Sequence, residues 1–424
     1  MSMDTPSPTL PPTPPVPSAT LASMKNYYVA PDGDDTNPGT IDRPWRTHAR
    51  VQAAKLLPGD VVRFQRGGTW SGGLTIDDSG VQGNPITFTS YGDGDRPVFT
   101  NPGGAGGYTR VISVNADWVI IEGFFVQDAH EAGVYVSSGS DHNAIRDIEA
   151  TNTGFGISIR GRFNLVTGNY LHDLHMVFNT PGGNDDYGAI GIEISNGSDN
   201  EVSYNRMVKC KASSYDYGSD GGAVELFGVA DRNYIHHNWA TASDGFIEVS
   251  GGSARDTIVA YNVSVNNGGF SWIHLSGPFA GDVQDFRIEN NTVVETETEN
   301  QGWVVFGFRG DPTPNMFRLI NNIVWVERGS GDGGGLKMVA NSADIRHENN
   351  LFHLVGEVEL GFDLGKGEAM GDPLFVNLQR GDFHLQAGSM AIDSGLDLGY
   401  SRDFDDRKVP SGQAPDMGAF EYRP

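Results

Sequence analysis

Four short phrases of one alternating pattern constrain this chain more than anything else in it. They are Gly191-Ile-Glu-Ile194, Ala223-Val-Glu-Leu226, Phe246-Ile-Glu-Val249 and Trp272-Ile-His-Leu275. Each sets one polar residue between two apolar ones. In a β-strand, alternate side chains point to opposite faces. The pattern therefore predicts Ile192/Ile194, Val224/Leu226, Ile247/Val249 and Ile273/Leu275 inward, with Glu193, Glu225, Glu248 and His274 outward on one face. Strands stacked in register would turn these outward residues into a column rising ~4.8 Å per step. Upstream, the column extends to Ser158 in Gly156-Ile-Ser-Ile159 and Tyr135 in Gly133-Val-Tyr-Val136; downstream, it is expected to reach Phe306 and Lys337.

A second series shares the period. Gly168-Asn169, Tyr204-Asn205, His237-Asn238, Tyr261-Asn262, Asn290-Asn291, Asn321-Asn322 and Asn349-Asn350 each sit inside a strand-like run. Asn is depleted in ordinary strands, so one per repeat is a positional requirement. Stacked Asn side chains can bond one another and the backbone. Successive ladder positions are 36, 33, 24, 29, 31 and 28 residues apart. The shortest is the bare coil and the longer ones carry insertions. An Asn ladder and a Glu column on one period point to an all-β solenoid, a right-handed parallel β-helix. A propeller or sandwich accounts for neither series.

The chain has 424 residues, 57 of them Gly, is 38% hydrophobic and 20% charged, and carries a formal net charge of −25. That balance argues against nucleic acid or an anionic membrane surface as partner. It leaves open an anionic polysaccharide held through calcium. The single cysteine, Cys210, rules out an internal disulfide framework and reads as a buried small hydrophobe.

Residues 1–23 alternate Pro with Ser and Thr and are expected to form an extended, disordered spacer. No signal peptide is visible, and such a spacer suits a secreted or cell-surface domain whose leader has been removed. Residues 24–110 are expected to form the N-terminal cap and first rungs. A helical stretch ending at Pro58-Gly59 would cover the first rung and its open edge. Residues 111–355 are expected to be the rungs with the active face. Residues 356–424, with Gly381-Asp-Phe-His-Leu385 and Asp416-Met-Gly-Ala-Phe-Glu-Tyr422, are expected to close the last rung.

The opening Tyr27-Tyr-Val-Ala-Pro-Asp-Gly33, followed by Arg43-Pro-Trp-Arg-Thr47 and Asp60-Val-Val-Arg-Phe64, resembles the start of many secreted bacterial right-handed parallel β-helix proteins. That superfamily includes pectate lyases and related carbohydrate-active enzymes. The resemblance spans roughly residues 27–424 and implies work on a polysaccharide or oligosaccharide outside the cell.

Two insertions, over residues 170–190 and 209–222, end just before column glutamates and should rise beside them. A third, around Glu295–Gly302, would wall the far end. Asp220, Asp244 and Asp186 precede Glu225, Glu248 and Glu193. Clustered like charges disfavour ionisation, so at least one carboxyl should hold its proton. One protonated and one ionised carboxyl is what a glycosidase needs. Glu225 and Glu248, on adjacent rungs, are the expected pair, tuned by Glu193 or Asp220, with His274 closing the row. This chemistry requires no cofactor. Some β-helical glycosidases, such as bacterial β-xylosidases, are similar in placing two acidic residues on neighbouring rungs. Tyr187, Tyr215, Tyr217, Trp239 and Trp272 are candidate sugar-stacking platforms.

The rival expectation is a calcium-dependent lyase acting on a uronate polymer. Asp220-Gly-Gly-Ala-Val-Glu225 resembles the acidic calcium turn of one β-helical pectate lyase family, which implies Asp220, Asp244 and Glu225 as ligands if Ca²⁺ binds. Such enzymes also need a Lys or Arg base, and Glu248 stands where the Lys is expected. Lys209, Lys211, His237 or His274 are the available substitutes. A third expectation is a non-catalytic carbohydrate-binding solenoid. A single outward Glu on a solenoid is ordinarily just solvated; three on consecutive rungs beside a His point to a site.

Overall fold

The structure, a computed structural model, describes residues 24–103, 107–296, 304–313, 315–328, 336–339, 345–356 and 358–424. The expected spacer at 1–23 and most of the expected wall at 295–302 lie outside the described residues.

Strands stack in parallel into three long sheets that wrap one core. The first sheet starts at Asn26–Val29 on Val61–Gln65 and continues through Val119–Glu122, Glu201–Ser203 and Ile258–Ala260 to Arg346–Glu348. The second passes through Tyr170–His172, Arg206–Val208, Trp239–Thr241, Val263–Val265 and Thr292–Glu295. The third carries Ile190–Ser195, Gly222–Val229, Ile247–Ser253, Ser271–His274 and Val304–Arg309. On the early rungs the long strands Phe125–Val136 and Glu149–Ile159 serve two sheets at once. They turn the corner at Asp128 and Asn152, whose φ of 57° and 49° lie in the left-handed region. A parallel crossover of this kind is right-handed, and the coil is a right-handed parallel β-helix.

The expected inward residues Ile192, Ile194, Val224, Leu226, Ile247, Val249 and Ile273 are all buried in one continuous core. Each such side chain contributes about 1.5–3 kcal/mol. Phe246 and Phe270 stack inside on successive rungs, with centroids 4.8 Å apart and planes 4° from parallel. Cys210 is wholly buried, which pushes its thiol up to about 12, and it is no nucleophile.

The Asn ladder forms as expected. Asn169, Asn205, Asn238, Asn262, Asn291, Asn322 and Asn350 pass hydrogen bonds from rung to rung, each Nδ2 donating to the next Oδ1 at 2.8–3.0 Å. Asn262 is fully buried within it. A second ladder was not anticipated. Asn143, Asn164, Asn200 and Asn233 line another turn, each Oδ1 accepting from the backbone N–H of the rung before. In both ladders the residue before the Asn takes a left-handed φ, for example Tyr204 at 55° and Phe163 at 57°.

Both ends differ from expectation. The helix covers only His48–Gln52, stops short of Leu57 and buries Val51 alone, so no helical cap is formed. Trp45, buried and stacked on Tyr27 at 4.6 Å, is the larger anchor there. At the other end, Leu360 and Phe362 pack against the core beside the last strands. Residues 372–423 do not cover the last rung. They run back along the outside of the second sheet as a strap. Phe375, Phe383, Met417 and Phe420 pack there on Val263, Val294, Ile323 and Leu351. The left-handed residues of the first ladder hold this strap. Asn349 donates to Ser394 O, Asn321 to Leu396 O, Asn290 to Asp416 O, and His237 Nε2 meets Asp403 O at 2.8 Å.

Candidate active site

The third sheet places the column where the alternation put it. Ser158 pairs with Glu193, Glu193 with Glu225, and Glu225 with Glu248 in unbroken register. The next step corrects the expectation. Trp272, not His274, stands opposite Glu248, and His274 pairs with Arg309. His274 keeps its face and still reaches back, with Nε2 3.0 Å from Glu248 Oε1. Phe306, expected in the column, is buried in the core; the column position on its strand is Gly307. The strand of Lys337 pairs next, with Lys337 beside Val304.

Burial and charge divide the glutamates. Glu193 is buried at 6% exposure, accepts Ser158 Oγ at 2.5 Å and lies 3.6 Å from Arg160 Nη2. Burial raises its carboxyl against the pull of Arg160 and Ser158. Glu225 and Glu248 are partly exposed and face the groove. Glu225 has no cation beside it among the described residues. Enclosure of its carboxyl, then the charges of Glu248, Glu193 and Asp220, lift it well above the usual carboxylate range. Asp220 is pushed up to about 7 by burial and by Glu248, against a hydrogen bond from the Gly221 amide. Both shifts favour a protonated carboxyl in the cluster.

The two insertions fold as hairpins, Met176–Phe178 with Tyr187–Gly188 and Ala212–Ser214 with Gly218–Asp220. They are laced together into one wall. Asn179 donates to Ser213 O and accepts from the Tyr215 amide, and Ser214 Oγ donates to Asp186 at 2.7 Å. Asp220 thereby leans over Glu248, while Asp244 binds Ser219 Oγ at 3.1 Å and Lys211 at 3.4 Å.

Among the expected sugar platforms, Trp272 and Tyr217 flank the pair, 40% and 68% exposed. Tyr187 stands at the Glu193 end, packed on Phe155 and Phe178. Tyr215 is exposed on the hairpin tip, away from the column strands. Trp239 is not in the groove. It belongs to the second sheet, stacked on Phe383 of the strap at 5.7 Å. His237 lies under the same strap, burial holding it down to about 4, and Lys209 pairs with Asp173 at another turn. Neither reaches the pair. Arg309 and Phe279 were not anticipated. Arg309 is placed by its register with His274, and Phe279 by a ring contact to it at 6.2 Å. Arg309 shares the parity of Gly307 in Phe306-Gly-Phe-Arg309 and was missed because Phe306 was expected outward; no alternation marks Phe279.

The expected ligand set Asp220, Asp244 and Glu225 is not gathered round one point. Among the described residues, the trio whose carboxylate oxygens all lie within 4.8 Å is Asp185, Asp186 and Asp216, between the hairpins. Asp186 Oδ1 is buried there with no hydrogen-bond partner among the described residues. An all-oxygen donor set with a spare buried oxygen fits a hard cation such as Ca²⁺.

With the geometry in place, comparison with known proteins is informative. Residues 27–280 match the model of the Pel9A-like right-handed β-helix region. The chain belongs to that family. It is a pectate-lyase-like β-helix protein of the carbohydrate-active kind. It is similar to pectate lyase L of Dickeya chrysanthemi, 24% identical over 95% of this chain and 91% of that protein. Its fold is similar to that of pectate lyase Pel9A, with a TM-score of 0.55 at 20% identity over 95% of this chain and 98% of the other. It is also similar in fold to XylC, solved in complex with xylose, with a TM-score of 0.58 at 10% identity over 94% and 99%.

Proposed function

We propose that this protein is a glycoside hydrolase acting on a polysaccharide or oligosaccharide, with Glu225 as general acid and Glu248 as the ionised nucleophile or base. The observation that carries this is the in-register pairing of Glu225 with Glu248 on adjacent strands, where enclosure and neighbouring carboxyls raise Glu225 and so favour its protonated form. A single strand step of ~4.8 Å lies near the ~5–5.5 Å carboxyl separation of retaining enzymes. Glu225 would protonate the leaving oxygen while Glu248 attacks the anomeric carbon. Glu225, then ionised, would activate the water that releases the sugar. Glu193, held by Ser158 and Arg160, stands on the far side, where any charge it carries favours the protonated form of Glu225. Trp272 and Tyr217 supply the faces on which a sugar ring stacks.

The relatives favour a second reading, β-elimination from a uronate polymer, through the likeness to pectate lyase L across nearly the whole chain. Asp185, Asp186 and Asp216 would hold the Ca²⁺, which when bound would neutralise substrate carboxylates. Against this reading, Glu248 and Trp272 occupy column positions where a basic residue is needed, and Lys211 is tied to Asp244.

The test is a screen of neutral and uronate polysaccharides, with and without EDTA, read by reducing ends and by ultraviolet absorbance of unsaturated products. Reducing ends without absorbance, indifferent to EDTA, support hydrolysis. Absorbance abolished by EDTA replaces it with the lyase. Binding without either product leaves a carbohydrate-binding solenoid.

A further inference from the structure

His274 Nε2 has two neighbours at hydrogen-bond distance. Trp272 Nε1 lies 3.0 Å away as donor, and Glu248 Oε1 lies 3.0 Å away on the other side. An indole N–H can only donate. Nε2 must therefore offer its lone pair, which makes the ring neutral with its proton on Nδ1. Nδ1 is buried and has no hydrogen-bond partner among the described residues. With no partner at Nδ1, the two neighbours of Nε2 set the tautomer between them. A carboxylate oxygen 3.0 Å from a lone pair is repelled unless it brings a proton of its own.

We propose that Trp272 is a positioning residue that locks His274 in the Nδ1–H tautomer and so parks a proton on Glu248 while the groove is empty. The O–H of Glu248 and the N–H of Trp272 then share one lone pair. When a sugar stacks on the 40%-exposed Trp272 ring, the indole N–H leaves Nε2. The Glu248 O–H bond breaks, an Nε2–H bond forms, and Glu248 becomes a carboxylate facing an imidazolium. No other atom or electron moves. Glu248 is thus ionised only when there is something to attack. The empty site is spared one negative charge among Glu225 on the preceding strand, Asp220 and Tyr217 on the hairpin, and Arg309 on the following strand. The role of Glu248 after ionisation rests on the hydrolase reading; the tautomer of His274 does not.

The experiment is nitrogen NMR on the full chain with labelled histidine, His274 being assigned by its loss in His274→Gln. The wild type is expected to show Nδ1–H. Trp272→Phe keeps the ring and removes the donor, and is expected to switch His274 to Nε2–H. Glu248→Ala leaves Trp272 in place and should keep Nδ1–H. Nε2–H in the wild type, an unchanged tautomer in Trp272→Phe, or a switch in Glu248→Ala would each overturn the proposal. The Glu248→Ala arm still decides if Trp272→Phe fails to fold. On a cleaved substrate, Trp272→Phe should lower kcat roughly tenfold with little change in KM. Equal loss in both would mark a merely structural residue. Should the hydrolase reading fail, the resonance of His274 still answers on its own.

Discussion

The Asn ladder and the Glu column are built alike and behave in opposite ways. Both stack one polar residue per rung, in register, along the same solenoid. An Asn amide carries a donor and an acceptor, so each ladder member satisfies the next; Asn238 donates to Asn262, Val202 O and His236 O while accepting from Asn205. A carboxylate has acceptors only, so Glu193, Glu225 and Glu248 repel unless protons or cations are supplied. Glu193 has Arg160 and Ser158, Glu248 shares a proton with His274, and Glu225 has no such partner among the described residues. Repetition alone therefore says nothing about stability. The chemistry of the repeated group decides whether the stack is a support or a charged site.

That contrast is open to direct attack. The largest effect expected is on turnover. Glu225→Gln or Glu248→Gln should reduce saccharide cleavage by about 10²–10⁴-fold, with the protein still folding cooperatively. A comparable loss from Asp244→Asn alone would relocate the site. Next comes the ladder. Asn238→Ala strands buried partners on both sides and should lower the unfolding free energy by about 3 kcal/mol, read from denaturant curves, with kcat unaffected. Stability should move the other way in the column. Glu225 has a raised pKa in the folded state, so its contribution is fully present below the ordinary carboxylate value and is lost as pH rises through the folded one. Glu225→Gln should accordingly raise Tm at pH 7, and the gain should vanish as pH falls toward 4.5, the ordinary value. A gain that persists in acid would show that repulsion is not the cause. The smallest effect expected is from Trp239→Ala, which should weaken the strap while leaving kcat and KM unchanged, in contrast to Trp272.

The fold was legible because its two repeated signals, alternation and in-strand Asn, are local. The face of Glu225 and Glu248 followed from parity alone. The misplacement of His274 shows the limit of parity. A strand slipped by two residues presents the same face, so pairing Ile273 with Ile247 or with Val249 is indistinguishable in sequence; the structure chooses Val249. The second ladder was written as plainly in Asn143, Asn164, Asn200 and Asn233, but its Asn residues flank the strands and do not interrupt them. Trp239 misled because exposed and covered aromatics read alike, and what covers it is some 140 residues away in the strap. The two insertions were expected beside the column, but the bonds that lace them into one wall escaped for a similar reason. Its lacing joins Asn179 to Ser213 and Asp186 to Ser214 across the intervening rung.

A solenoid held only by neighbouring rungs can fray from an end, one coil at a time. The strap alters this. It ties the Asn349 rung to the His237 rung through partners on the rungs between. Peeling the last coils requires releasing Leu396, Asp416 and Asp403 first. These coils should consequently open as one cooperative block, with backbone amides of Trp239–Thr241, Val263–Val265, Thr292–Glu295 and Ile323–Arg328 exchanging at a common rate. The earlier coils, which none of these bonds ties down, keep the freedom to breathe singly.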